Sequence, residues 1–388
     1  HGPALVAVVE GVPAGLPLRT EEIDAELRRR QGGYGRGGRM RIESDRAEVL
    51  SGVRHGETLG SPVALLVRNR DWANWTEAMS AEPVDSVGDD EAMRRVFFPR
   101  PGHADLVGAL KYDRVDARDI LERASARETA ARVACGAVAK RFLAELGITV
   151  GSHVVALGGV VAGLPAHFPE DLNAASDPSP VRCLDPEAEG LMIDAIDAAK
   201  REGDTLGGVV EVVARGLPAG LGSHVAWDER LDGRLAGALM SIQAIKGVEI
   251  GLGFEGAMRP GSRVHDPIVL DRGAARGGGF GRSSNNAGGL EGGMTTGAPL
   301  VARAAMKPIS TLMQPLGTVD LRTGEAAEAV RERSDVCAVP AAGVVAEAMV
   351  ALVLAEAVRQ KFGGDSMTDV RAGFDAYLHK IAARGSFG

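Results

Sequence analysis

Cysteine is scarce in this chain. Its three copies, Cys135, Cys183 and Cys337, are odd in number and far apart, which argues against a disulfide framework and shows no metal-ligand spacing. A cytoplasmic, reducing location is expected, and no charged-then-apolar signal segment opens the sequence. Aromatic residues are few as well, at 4%, so aliphatic side chains and alanine must build the core. A surplus of positive charge is also missing: 44 basic residues stand against 52 acidic ones, a net charge of −8. That balance argues against a nucleic-acid-binding or membrane-surface protein and favours focused binding of a small anion. The longest apolar run, Val339 to Val358, is interrupted by Glu347 and Glu356. It predicts a buried, alanine-rich core helix rather than a membrane span, with Arg359 and Lys361 in its last turn and Gly363 beyond.

Glycine is what the chain has in excess, 52 of 388 residues, about twice the usual ~7%. Many tight turns and close backbone approaches are therefore expected. The organisation shows in an internal echo. Residues 8–16, Val-Val-Glu-Gly-Val-Pro-Ala-Gly-Leu, recur at 213–221 as Val-Ala-Arg-Gly-Leu-Pro-Ala-Gly-Leu. A β-rich run precedes each copy, and a helix follows each, predicted at about 20–30 and 228–246. A weaker echo pairs Gly56 to Pro62 with Gly293 to Pro299, each leading into an apolar strand. Two duplicated halves about a pseudo-twofold axis account for this pattern. Between them, helices are predicted at about 116–146 and 187–202, and long loops at 70–99, 161–186 and 257–281.

Chemistry concentrates between Pro99 and Gly136. Pro-Arg-Pro-Gly-His-Ala-Asp (99–105) is followed by Glu-Arg-Ala-Ser-Ala-Arg-Glu-Thr (122–129). Arg100, Arg123 and Arg127 offer forked donors for oxyanions, and His103 titrates near neutrality. His103 follows a Pro-Gly turn and reads either as a structural histidine or as an acid–base group. Arg28 to Arg30 close the first helix, where dipole complementation is the plain role, while Arg36 and Arg39 among glycines suit anion binding. Backbone N–H groups in the Gly/Asn stretch 281–293 could cradle an anion or a planar ligand. Lys307 to Thr311 add a cation and two hydroxyls. Arg333 and Asp335 form either a local ion pair or a donor beside a base.

Together these segments closely resemble the chorismate synthase family over essentially the whole chain. The resemblance rests on the opening His-Gly, Arg-Arg-Arg with its Gly/Tyr/Arg loop, Arg-Pro-Gly-His-Ala-Asp and Arg-Ala-Ser-Ala-Arg-Glu-Thr. It continues through Ser-Ile-Gln-Ala-Ile-Lys-Gly-Val-Glu-Ile-Gly (241–251), Ser-Asn-Asn-Ala-Gly-Gly, Met-Lys-Pro-Ile-Ser-Thr and Arg-Ser-Asp-Val-Cys-Ala-Val-Pro. It implies an α+β fold, a β-α-β sandwich, in one domain spanning 1–388 with related halves at about 1–110 and 205–335. It implies a homotetramer. The implied reaction is 1,4-anti elimination of phosphate from 5-enolpyruvylshikimate 3-phosphate to give chorismate, the last step of the shikimate pathway, with reduced FMN required. NADPH or a separate flavin reductase would supply electrons.

Residue by residue, the resemblance makes His1 the proton donor to departing phosphate and His103 the donor to the reduced flavin. Asp335 would help the flavin N5 region take up the substrate proton. Arg30, Arg36, Arg39, Arg100, Arg127 and Arg333 would bind substrate or NADP. FMN would contact Arg123, Ala124, Ser125, Gln243, Ala244, Gly292, Lys307, Pro308, Ile309, Ser310, Thr311 and Arg333. No metal is implied. The family pattern continues upstream of His1 as a short strand ending Gly-Glu-Ser, so a truncated start is expected. Two other readings use the same residues: a non-enzymatic binder of anionic metabolites or nucleic acid, and an NAD(P)H-dependent flavin reductase.

Overall fold

The first strand forms because residues 4–9 alternate apolar side chains between two faces. Its antiparallel partner, residues 63–68, turns Val63, Leu65 and Val67 inward, all of them buried. The computed structural model describes residues 2–37, 44–84, 93–332 and 334–385, so His1, Arg39 and Arg333 lie outside the described residues. In chain order the first part runs β1 (Ala4–Val9), α1 (Thr20–Gln31), β2 (Ala47–Val49), the hairpin β3 (Val53–Arg54) and β4 (Glu57–Thr58), and β5 (Val63–Arg68). Then come α2 (Asp105–Tyr112), α3 (Arg118–Ala124), α4 (Thr129–Ala144), β6 (Thr149–Leu157), β7 (Val160–Val161), α5 (Leu172–Ser176) and α6 (Pro186–Glu202).

The second part opens with β8 (Gly208–Arg215), α7 (Leu231–Met240) and β9 (Ile245–Ile250). It continues with α8 (Phe254–Ala257), β10 (Ile268–Leu270), β11 (Phe280–Arg282), the hairpin β12 (Leu290–Glu291) and β13 (Met294–Thr295), and β14 (Leu300–Met306). The hairpin β15 (Gly317–Val319) and β16 (Ala326–Glu328), then α9 (Val339–Phe362) and α10 (Met367–Gly385), complete the described chain. The fold is α+β.

Two antiparallel sheets enclose the long helices. One sheet has the order β1-β5-β2, the other β7-β6-β8-β14-β9. Helices α1 and α4 pack toward the first sheet, α9 and α7 toward the second, and α4 lies against α9. Small residues permit that approach: a Cβ added at Gly136 of α4 would stand 2.3 Å from the Ala348 Cβ of α9. Helix α9 has the length and apolar composition to cross a membrane, yet it is mostly buried inside this fold. At its centre the fully buried Glu347 accepts from Arg29 of α1 (2.9 Å), Lys140 of α4 (2.8 Å), Arg182 (3.0 Å) and Ser152 of β6 (2.7 Å). Burial works against its charge, but the surrounding cations outweigh that and hold its carboxyl well below the usual range.

The echoed segments fold alike. Leu16 N donates to Thr58 Oγ1 (3.0 Å), which donates to Pro13 O (2.6 Å). Leu221 N donates to Thr295 Oγ1 (2.8 Å), which donates to Pro218 O (2.6 Å). Each set runs strand, helix, strand, hairpin, strand, the second with α8 and the β10–β11 pair inserted before its hairpin, and in both the last strand is central: β1-β5-β2 and β8-β14-β9.

Two helices differ from expectation. The predicted helix 116–146 is broken at Ser125, whose backbone is extended (ψ 138°) and whose side chain accepts from Arg127 N. The helix predicted to reach residue 246 stops at Met240, because residues 245–250 pair with β14 instead. Ala244, at φ 67°, makes the turn between them. The stretches expected as loops at 161–186 and 257–281 contain α5 and the β10–β11 pair.

Candidate active site

Three adjacent arginines in the last turn of α1 meet three fates, because successive helical residues point about 100° apart. Arg28 is exposed, Arg29 is tied to Glu347, and Arg30 turns into a cavity. That cavity, about 530 Å³, lies where α1 ends, α7 ends, and both α4 and α9 begin. Two long helices, of 16 and 24 residues, thus present their N-terminal ends to one space, which favours negative charge there.

The segment 99–105 forms the arginine–histidine corner. His103 N donates to Arg100 O (3.2 Å) across Pro101 and Gly102, and Gly102 has φ 77°. A proline followed by a positive-φ glycine is the type II turn pattern, and it sets Arg100 and His103 side by side. Arg100 is buried and donates to Thr311 Oγ1 (2.8 Å) and to Asp105 Oδ2 (2.9 Å). His103 Nδ1 lies 2.5 Å from Asp105 Oδ1. Burial would push the Asp105 carboxyl up, but hydrogen bonds from His103 and Arg100 outweigh it and hold it well below the carboxylate range.

Opposite stand the other arginines. Arg30 donates to Thr129 Oγ1 (2.9 Å) and Ala126 O (3.0 Å). Arg127 donates to Asp45 Oδ2 (2.6 Å), and Arg30 lies 3.7 Å from the same oxygen. Arg36 pairs with Asp335 (3.1 Å), whose other oxygen accepts from Gly37 N (2.6 Å). Lys307 donates its backbone N–H to Ala244 O (2.9 Å); burial, with Lys246 nearby, pulls its ammonium down from the usual value. A shelf of Ile242, Ala244, Ala341, Ala342 and Val345 supplies a smooth apolar surface. Gln243 donates to Glu128, while its buried Oε1 has no hydrogen-bond partner among the described residues.

The cavity wall therefore includes Arg30, Arg36, Arg100, His103, Ala124, Ser125, Arg127, Gln243, Ala244, Lys307, Ile309, Ser310, Thr311 and Asp335. Three expected ligand contacts are placed elsewhere. Arg123 and Pro308 are exposed beside the wall without lining it, and Gly292 sits exposed at the tip of the β12–β13 hairpin. Three acidic neighbours of the wall were not singled out by the sequence: Asp45 holds Arg127, Glu128 accepts from Gln243, and Glu332 lies 3.9 Å from Arg100. Glu128 lay inside a quoted motif, but Asp45 carried no local signal, since Arg127 is 82 residues away in sequence.

The chorismate synthase family model matches residues 1–358. A chorismate synthase from Symbiobacterium thermophilum is 60% identical over 388 residues, covering 99% of this chain and 98% of that relative. Chorismate synthase 1 of Bacillus cereus is 57% identical over 386 residues, covering 99% and 97%. The chain belongs to the chorismate synthase family. It is accordingly an enzyme, a lyase with chorismate synthase function. A solved chorismate synthase crystal structure has the same architecture, with TM-score 0.78 and 45% identity over 99% of this chain and 96% of that one. The matched segment contains every described residue of the cavity wall.

Proposed function

We propose that this cavity eliminates phosphate from 5-enolpyruvylshikimate 3-phosphate to give chorismate, with reduced FMN bound beside the substrate. The observation that carries this reading is the meeting of a cationic wall and an apolar shelf in one space. A phosphate ester needs the first and a flat ring needs the second. The residues suit FMN: the unpaired Gln243 Oε1 awaits a donor, and the alanines of the shelf allow close stacking. When bound, reduced FMN would supply electron density that favours phosphate departure.

The protein's own groups do the remainder. Arg30, Arg100 and Arg127 neutralise phosphate and carboxylate, held in place by Thr129, Thr311, Asp105 and Asp45. His103 delivers a proton to the bound cofactor, and Asp335, fixed by Arg36 and Gly37, assists departure of the substrate proton. His1 protonates the leaving phosphate, and Arg39 and Arg333 join the anion set. Arg123 and Pro308, next in sequence to Ala124 and Lys307 of the wall, and Gly292, exposed at the β12–β13 turn, would reach the cofactor only from outside the cavity lining.

Further assignments follow the same reading. The shared order of the two strand–helix–hairpin units supports internal duplication about a pseudo-twofold axis, within one domain. A homotetramer is supported by apolar surface left uncovered on the single chain, with Val6 and Val8 exposed beside Leu66 on the outer sheet face. Three free cysteines agree with a cytoplasmic location. NADPH or a separate reductase keeps FMN reduced. The test is phosphate release from the enolpyruvyl ester under anaerobic conditions with FMN and a reductant. Release is expected only when both are present; no release would overturn the reading.

A further inference from the structure

Asp105 is fully buried at the first residue of α2, a position where a carboxylate ordinarily serves its own helix. Its hydrogen bonds run the other way. Oδ2 accepts from Arg100 N (3.1 Å) and Nε (2.9 Å), and Oδ1 accepts from Arg100 Nη2 (3.2 Å). Oδ1 also lies 2.5 Å from His103 Nδ1. An ionised carboxylate only accepts, so the ring nitrogen facing it must carry hydrogen. Arg100 Nη2 lies 3.0 Å from the same ring atom and 3.4 Å from Nε2; as a donor it can serve only the ring nitrogen without hydrogen, which the Asp105 contact at Nδ1 makes Nε2.

We infer that Asp105 is a positioning residue, holding His103 with its proton on Nδ1 so that Nε2 is the nitrogen that exchanges protons with ligand. Thr311 and Asp105 together clamp Arg100 against the same turn, so one buried carboxylate orients both the permanent cation and the titrating group. The inference rests on His103 being the proton donor, and it assigns to Asp105 a part that touches neither substrate nor cofactor.

The test reads the tautomer directly. Full-length protein with ¹⁵N-labelled histidine gives the ring-nitrogen shifts of His103, identified by their loss in His103→Gln. Neutral wild-type His103 is expected as the Nδ1–H tautomer. In Asp105→Asn, whose amide can turn either its oxygen or its NH₂ toward the ring, the Nε2–H form should appear. Turnover should then fall about 10²–10⁴-fold, with the loss in kcat exceeding the rise in KM that loosening Arg100 brings. An Nε2–H tautomer in the wild type would overturn the inference even if the variant failed to fold, and so would wild-type turnover in Asp105→Asn. Wild-type turnover in His103→Gln would instead remove the proton-donor reading, leaving the tautomer result to stand alone.

Discussion

The two strand–helix–hairpin units share a frame and part company at the cavity. In the first, Arg30 sits in the last turn of α1 and Arg127 lies two residues before α4, so its wall is cationic. In the second, α7 leads into Ile242, Gln243 and Ala244, and α9 opens on Ala338, Ala341 and Ala342, so its wall is mostly apolar. Both walls stand on equivalent scaffolds, each pinned by a threonine bridging the same backbone groups, Thr58 in one and Thr295 in the other. The difference shows how two units with the same strand order can present unlike walls to one cavity. Specialisation lies in a few side chains at helix ends, beside the N-termini of α4 and α9, where the backbone already favours anions.

The largest effect expected at this site comes from the cationic corner. His103→Ala should lose about 10²–10⁴-fold in turnover while FMN titration shows retained cofactor affinity; wild-type turnover would break the proposed division of labour. Next is the seam between the halves. Glu347→Gln should destabilise the fold by about 3–5 kcal/mol, since it leaves Arg29, Lys140 and Arg182 without their buried counter-charge. Urea unfolding measures this. The folded Glu347 carboxyl is depressed, so its stabilisation is present above the unfolded value of ~4.3 and is lost as pH falls through the folded one. The gap between wild type and Glu347→Gln should therefore narrow on acidification below about pH 4.

The walls themselves can be separated by a pair of substitutions. Arg127→Ala should weaken substrate binding by roughly 10–100-fold, the cost of one charged hydrogen-bonding partner, and leave FMN affinity nearly unchanged. Ala342→Leu should do the reverse. Isothermal titration of each ligand on each variant would show it, and a uniform loss in both would contradict a two-wall site. The smallest effects should come from the twin threonines. Thr58→Val and Thr295→Val should each cost about 1–3 kcal/mol, by leaving a buried backbone N–H without its acceptor. Markedly unequal unfolding midpoints would mean that the two turns, alike in hydrogen bonding, are not alike in energy.

Local pattern was enough for the echoed strand–turn segments, the first helix and the buried helix. Alternation, an acidic first turn and an uninterrupted apolar face are properties of neighbours in sequence. The corner at 99–105 was legible for the same reason, because its turn and its charged residues lie within seven positions. The break at Ser125 was not, since Ala- and Arg-rich sequence on both sides favours helix, and only the placement of Arg127 against Asp45 shows what the bend achieves. Nor was the end of α7 at Met240, where pairing with β14 overrides a helical pattern. Asp45 and Glu347 illustrate the limit most clearly. One clamps two arginines and the other gathers three cations, and all of those partners are distant in sequence.

Most strands and helices, the recurrence of the 8–16 segment at 213–221, and the set of candidate arginines and histidine follow from local pattern alone. Tertiary structure alone decided which of three neighbouring arginines enters the cavity, that two helix N-termini converge there, and that Arg123, Pro308 and Gly292 stand off its wall. The physical reason is range. Backbone conformation and amphipathic periodicity act over a few residues, whereas burial of charge and closure of a cavity depend on elements brought together by packing.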